Sequence, residues 1–222
     1  WEKGLSPQIN TRHLGIDVQK VVGTLWDGQA LIRYKGLSGI VQWDLELEKI
    51  LSLSLPLKIN VNTEFGDVSA SIDASLSTIR AEIDKAQIEL SALTPLLKAQ
   101  RVSLDGELFV KDLVVVVEDK KVLRASGMAS WSGGDIAYPA GRVVHERSLP
   151  MFKLELKTLE SGDVYLGIRD PQARFDVINA DLKNDGTAML RITRRLLDLS
   201  SEPWSQNSTE SDVVFKVKKV LY

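Results

Sequence analysis

The chain has 222 residues, 44% hydrophobic and 26% charged, with a formal net charge of -2, pI near 5.8 and no cysteine. This balance gives no electrostatic footprint for nucleic acid. The missing thiols exclude a disulfide framework and thiolate metal sites, and no run approaches the roughly 18 apolar residues of a membrane span. The length fits one large all-β domain or two small ones, and zero cysteine suits a bacterial cell-envelope protein and a cytosolic one alike.

Residues 1–17 read as a lead-in, with Pro7 and Gly15 as breakers. Strands are expected over 18–26 and 29–34, joined at Asp27-Gly28, where glycine accepts the positive φ of a tight hairpin turn. A third covers 39–47, with Val41, Trp43, Leu45 and Leu47 on one face. Across 51–61, Leu51, Leu53, Leu55, Leu57, Ile59 and Val61 alternate with polar residues and Pro56. Such a strand is greasy on one face and wet on the other. Half-wet strands belong to antiparallel sheets rather than to the buried parallel sheets of nucleotide enzymes. Pro56 cannot donate to a ladder, which predicts an edge or a bulge there.

After a turn at Gly66-Asp67, Val68, Ala70, Ile72, Ala74 and Leu76 keep the period of two. Residues 79–90 fit helix and strand equally. Ser91 to Ala99 reads as a short helix capped by Ser91. Alternation resumes at 102–110, and Leu113 to Val117 is a solid apolar run with charged flanks that act as aggregation gatekeepers. A strand over 122–131 ends at Ser132-Gly133-Gly134-Asp135, and 135–150 looks irregular. Further alternating runs surround Leu154, Leu166, Val177, Leu190 and Val217, with turns at Ser161-Gly162-Asp163 and Asn184-Asp185-Gly186. Residues 196–210 read as a polar connector around Pro203-Trp204.

The expected fold is mainly β: antiparallel, strongly twisted or curved sheet or sheets with one or two short helices. One β-rich domain over 1–222 is expected, with sub-halves 18–90 and 100–222 as the alternative. The glycine-to-tryptophan steps Gly23–Trp26, Gly39–Trp43 and Gly127–Trp131 read either as a duplicated β unit or as tryptophans favouring strand ends.

No catalytic constellation stands out. There is no Gly-Lys-Ser/Thr phosphate loop, no Gly-x-Gly-x-x-Gly and no Gly-x-Ser-x-Gly elbow. His13 and His145 are the only histidines, and neighbours such as His145 and Glu146 point to opposite faces of a strand, a poor ligand pair. Asp181 to Gly186 lacks the alternating oxygens and closing glutamate of a calcium loop, so it reads as a hairpin. No catalytic, metal or cofactor residues are expected. Arg191, Arg194 and Arg195 form the one dense basic knot. On a strand Arg191 and Arg195 would share a face and meet an acidic partner or phospholipid head groups; alternatively, the knot is a rim paired with Asp198 and Glu202. Trp26, Trp43 and Trp131 read as core anchors, and Trp204 as the exposed tryptophan. Trp204, Arg194 and Arg195 are therefore the candidate interface residues.

Taken in order, several motifs carry a family resemblance. They are Gly23-Thr24-Leu25-Trp26-Asp27-Gly28 with Ala30; Leu104-x-Gly106-x-Leu108; Ser126-Gly127-x-Ala129-x-Trp131-x-Gly133-Gly134; and Tyr138-Pro139-Ala140-Gly141-Arg142 with Pro150. The C-terminal run follows: Leu182-x-x-Asp185-Gly186-Thr187-Ala188, Arg194-Arg195-Leu196-x-Asp198-Leu199, Pro203-Trp204 and Val214-Phe215-x-Val217. From about residue 20 onward the chain resembles type II secretion system protein N. The resemblance implies a non-enzymatic part of the bacterial machine that moves folded proteins across the outer membrane. It implies a periplasmic body, anchored to the inner membrane by an N-terminal span that would precede Trp1. Its partners would be other envelope components of the system, with no nucleic acid. The family also resembles, distantly, envelope proteins with lipid-handling β grooves, which makes an apolar groove the alternative function and lipid the alternative partner.

Overall fold

Among the described residues thirteen strands pair antiparallel in one open sheet, each joined to the next at its edge. The computed structural model describes residues 16–46, 54–119, 121–204 and 207–221. Residues 1–15 of the predicted lead-in, with His13, and Leu47 and Leu51 to Leu53 lie outside the described residues, while Ile16 and Asp17, expected in the lead-in, already belong to a strand.

The first half is a plain meander. Strands β1 (Ile16–Gly23), β2 (Asp27–Tyr34), β3 (Leu37–Leu45), β4 (Leu55–Thr63), β5 (Gly66–Ala74) and β6 (Thr78–Glu89) follow one another. The first turn lies earlier than its Asp-Gly signal: Gly28 already pairs with Gly23. Thr24 makes the turn instead, its Oγ1 accepting the backbone N–H groups of Trp26 and Asp27, each at 3.1 Å. A side-chain hydroxyl that satisfies two turn amides competes well with glycine chemistry. Pro56 marks neither edge nor bulge, because β4 is an interior strand. Its carbonyl accepts Glu46 N at 3.2 Å, just past Leu45↔Leu57, the last register pair of β3 and β4. The missing N–H faces Glu46, beyond the last register pair, so no paired position of the ladder loses a bond.

The ambiguous segment 79–90 is strand. Its apolar residues pair one for one with β5 and with β8 (Glu107–Glu118), and long-range pairing overrides a weak helical period. A β-bulge in the β5–β6 ladder between Ser69 and Ala70 resets the register. Single turns of 3₁₀-helix flank α1 (Thr94–Leu97). Ser91 caps nothing and donates to Glu89 Oε1 at 2.7 Å. The segments expected over 102–110 and 113–117 are mostly one strand, β8, which passes Asp112 at φ 51°.

Beyond β9 (Lys121–Trp131) the chain leaves the sheet. Residues expected to be irregular form a hairpin, β10 (Gly134–Ala140) and β11 (Val143–Leu149), which joins β7 (Ser103–Leu104) in a second, three-stranded sheet. The chain then returns as β12 (Phe152–Thr158), β13 (Val164–Arg169), β14 (Ile178–Leu182), β15 (Thr187–Thr193) and β16 (Val213–Val220). The Asn184-Asp185-Gly186 turn sits as expected, with Gly186 N donating to Lys183 O at 2.9 Å. A helix, α2 (Arg194–Leu199), opens the predicted connector. Its Leu196 and Leu199, three residues apart, share one face and reach the core.

That core is small and lies at one end of the large sheet. Leu90, Trp131, Leu149, Phe152 and Val177 are buried together, flanked by Leu104, Ile136, Leu196 and others. Trp131 stacks on Phe152 with ring centroids 5.8 Å apart and donates its indole N–H to Asp105 O at 2.8 Å. Buried side chains of this kind contribute about 1.5–3 kcal/mol each. Of the other expected anchors, Trp43 is half-buried, and Trp26 is exposed because it occupies the β1–β2 turn.

Candidate functional site

In an antiparallel ladder, directly paired residues sit on the same face. Following the register from edge to edge gives one row: Val21, Ala30, Val41, Val61, Val68, Ala86, Val110, Ala129, Leu154, Ile168, Ile178, Ile192 and Phe215. Every strand of the sheet supplies one member, and every member is apolar. The next row on the opposite face reads Gln29, Gln42, Asn60, Ser69, Lys85, Lys111. One-sided amphipathy that is weak in any single strand becomes continuous across the sheet.

On one side of the apolar row, the second sheet, the helical turns and α2 cover Ile88, Leu108, Trp131 and Phe152. On the other side lie three more apolar rows: Trp43–Ile59–Ala70–Ile83–Leu113, Leu45–Leu57–Ile72–Ala81–Val115 and Leu55–Ala74–Ile79–Val117. Strands β3 to β5 make extensive contacts only with their sheet neighbours, so no second layer covers these rows among the described residues. Leu55 and Ile79 are each 49% exposed. An open apolar surface of this extent marks an interaction surface rather than a finished core.

The candidate interface residues sit at the β16 end. The predicted shared face of Arg191 and Arg195 does not form, because the strand stops at Thr193 and Arg195 lies on α2. Arg191 is bound by Asp181 and Asn179. Arg194 meets Asp198 at 3.4 Å and the Ser208 carbonyl, and Arg195 holds Asp170 at 2.8 Å and Glu210 at 3.3 Å. Of the two expected rim partners, Asp198 pairs with Arg194, while Glu202 lies elsewhere. Asp170 is 2% exposed, so Arg195 neutralises a buried carboxylate, and this bond holds the guanidinium's proton more tightly than usual. Trp204 is exposed and meets Phe215 in a tilted ring contact, centroids 5.5 Å apart. It therefore sits beside the last member of the apolar row.

Glu202 gathers three donors from the small sheet. Its Oε1 accepts Tyr138 Oη at 2.8 Å and Arg147 Nη2 at 2.9 Å, with His145 Nδ1 at 2.9 Å. The His145 contact, then the Tyr138 bond, hold the Glu202 carboxyl below its ordinary range. Burial, then the bond to Glu202, raise the Tyr138 phenol. The cluster ties the segment after α2 to β10 and β11. His145 therefore answers to Glu202 rather than to its neighbour Glu146.

Two features escaped the sequence. The row of thirteen needs the register of every ladder, and no single strand carries that information. The polar face also holds a groove of about 530 Å³, lined by Phe109, Lys111, Met128, Lys153 and Arg169 among others. Phe109 and Met128 were visible only as ordinary strand residues.

Among known families, the description "Type II secretion system (T2SS), protein N" matches residues 15–203. No curated protein and no solved structure matches the chain. The chain belongs to the type II secretion system protein N family. It is an accessory component of type II protein secretion, a machinery of the cell envelope. No described helix is long and apolar enough to cross a membrane.

Proposed function

We propose that this protein is a non-enzymatic periplasmic module of the secretion system, held at the inner membrane in its full-length form. Its open apolar β face is the surface on which it assembles with another envelope component. The supporting observation is the unbroken row of thirteen apolar residues, with three further apolar rows beside it that no layer covers among the described residues. Water against such a face costs about 25 cal/mol per Å², a standing drive toward association. The test is a pair of charged substitutions, Leu55→Glu and Ile79→Glu, at positions exposed enough to spare the fold. Secretion should fall in cells carrying either variant while the purified domain unfolds at the wild-type urea midpoint. Normal secretion by both folded variants would end this reading. Trp204→Ala, at the end of the row, should likewise lower secretion without unfolding the domain.

A second reading has its own support. The main row contains no polar position, which suits an acyl chain as well as an apolar protein surface. An envelope lipid-handling groove would then copurify with lipid. Native mass spectrometry of gently purified protein without any lipid adduct would exclude it.

A further inference from the structure

We propose that the open edge of β16 docks an acidic, strand-forming segment of a partner protein, which adds to the sheet beside it. The proposal rests on the docking role above and names the surface and the partner's chemistry.

The backbone supplies the first argument. Among the described residues β16 ends the strand order, with β15 as its one neighbour. Leu221 N donates to Gly186 O at 2.9 Å, continuing the register that pairs Val220 with Thr187 and Lys218 with Met189. Backbone groups alternate sides along a strand. Residues 215, 217 and 219 therefore point their N–H and C=O groups at β15. Lys216, Lys218 and Val220 point theirs at the open edge, the template used when an extended peptide adds to a sheet.

The side chains supply the second argument. Phe215, Val217 and Val220 are 48 to 64% exposed, and Phe215 already carries Trp204. Lys216, Lys218 and Lys219 are exposed, and none of them forms an ion pair with a carboxylate among the described residues. Two acids on or between the neighbouring strands make their bonds elsewhere, although Asp185 feels the charge of Lys218. Asp181 is bound by Arg191, the cross-strand neighbour of Lys216, and Asp185 Oδ1 accepts Thr187 N at 2.8 Å. The edge is thus apolar, cationic and unpaired at once.

Those features select the occupant. A second copy pairing β16 with β16 would set lysines against lysines, which is unfavourable. The other sheet edge, β1, offers Asp17 beside Lys20 and no matching acidic row. A lipid surface would answer the lysines and leave the outward N–H and C=O groups unmet. Only an acidic strand answers both. Cross-strand pairing sets its pattern: opposite residues 215 to 219, in order, apolar, acidic, apolar, acidic, acidic. Its apolar residues would lengthen the rows that end at Phe215 and Val217.

The probe is a ten-residue peptide of glutamate and valine arranged in that pattern, with a peptide carrying lysine for each glutamate and an N-methylated form of the acidic peptide as comparisons. The acidic peptide should bind the purified domain and slow hydrogen exchange at Lys216, Lys218 and Val220. Lys216→Glu with Lys218→Glu should weaken it about tenfold, the product of two cross-strand charge pairs. N-methylation of the amides facing β16 should abolish binding. The proposal is overturned if the acidic peptide leaves exchange in β16 unchanged, if the N-methylated or lysine peptide binds equally, or if phosphatidylglycerol vesicles capture the wild type but not the double variant in place of the peptide. Such a failure leaves the apolar-face reading standing, because Leu55 and Ile79 test that face through secretion alone.

Discussion

Arg195 separates a structural role from an exposed docking role. Its guanidinium makes two bonds to Asp170 Oδ2, at 2.8 and 3.1 Å, and Asp170 Oδ1 also accepts Gln172 N at 3.0 Å. The carboxylate is fully fenced in, whereas the Arg195 side chain is 19% exposed. Removing one partner of a buried pair costs about 3–5 kcal/mol, because the other charge is stranded. The partial exposure of Arg195 puts Arg195→Met near the lower bound, about 3 kcal/mol. With a urea m-value of roughly 2 kcal/mol per M, the unfolding midpoint should fall by about 1.5 M. Asp170→Asn in the Arg195→Met background should recover much of the loss, giving a coupling energy of about 2 kcal/mol in a double-mutant cycle. The contact with Glu210, whose side chain is 55% exposed, adds little. A loss under about 1 kcal/mol without coupling would refute this reasoning and return Arg195 to the pool of free interface charges.

Trp131→Ala should cost about 3–5 kcal/mol in urea unfolding, and Trp131→Phe less, since the ring stack on Phe152 survives while the bond to Asp105 is lost; equal losses would refute the assignment. Tyr165 donates to Asp176 Oδ2 at 2.5 Å, and burial first, then this bond, raise its pKa to about 12. Because the folded state holds that proton, the stabilisation is present below the ordinary 10.0 and is lost as pH rises toward 12. Phenolate absorbance should show a late-ionising tyrosine that Tyr165→Phe removes. For Glu202 the sign is opposite: its depressed carboxyl stabilises the fold above the ordinary 4.5, and that contribution fades as pH falls below it. Glu202→Gln should therefore lower the urea midpoint at neutral pH, with the gap from wild type closing in acid. A gap that stays constant with pH would exclude the cluster built on Tyr138, His145 and Arg147.

The alternation at Leu55 to Val61 and at Val68 to Ala74 was enough to establish a mainly β, antiparallel protein, because a period of two is a property of each strand alone. Ordered motifs such as Asp185-Gly186-Thr187-Ala188 likewise sufficed for the family, since order along a chain survives without coordinates. What the chain alone left open depended on partners distant in sequence. Thr24 took the first turn from Asp27-Gly28 because its hydroxyl found two amides. Segment 79–90 became strand only when β5 and β8 flanked it. α2 spans too few residues for its period to be read, and it forms where Leu196 and Leu199 meet the core. Arg195 read as an interface charge or as a rim residue paired with Asp198 and Glu202 until the fold carried Asp170 beneath it. The thirteen-residue row and the unpaired β16 edge belong to the tertiary structure entirely, because register and strand order are relations between segments, which hydrogen bonds set only after the chain has returned upon itself.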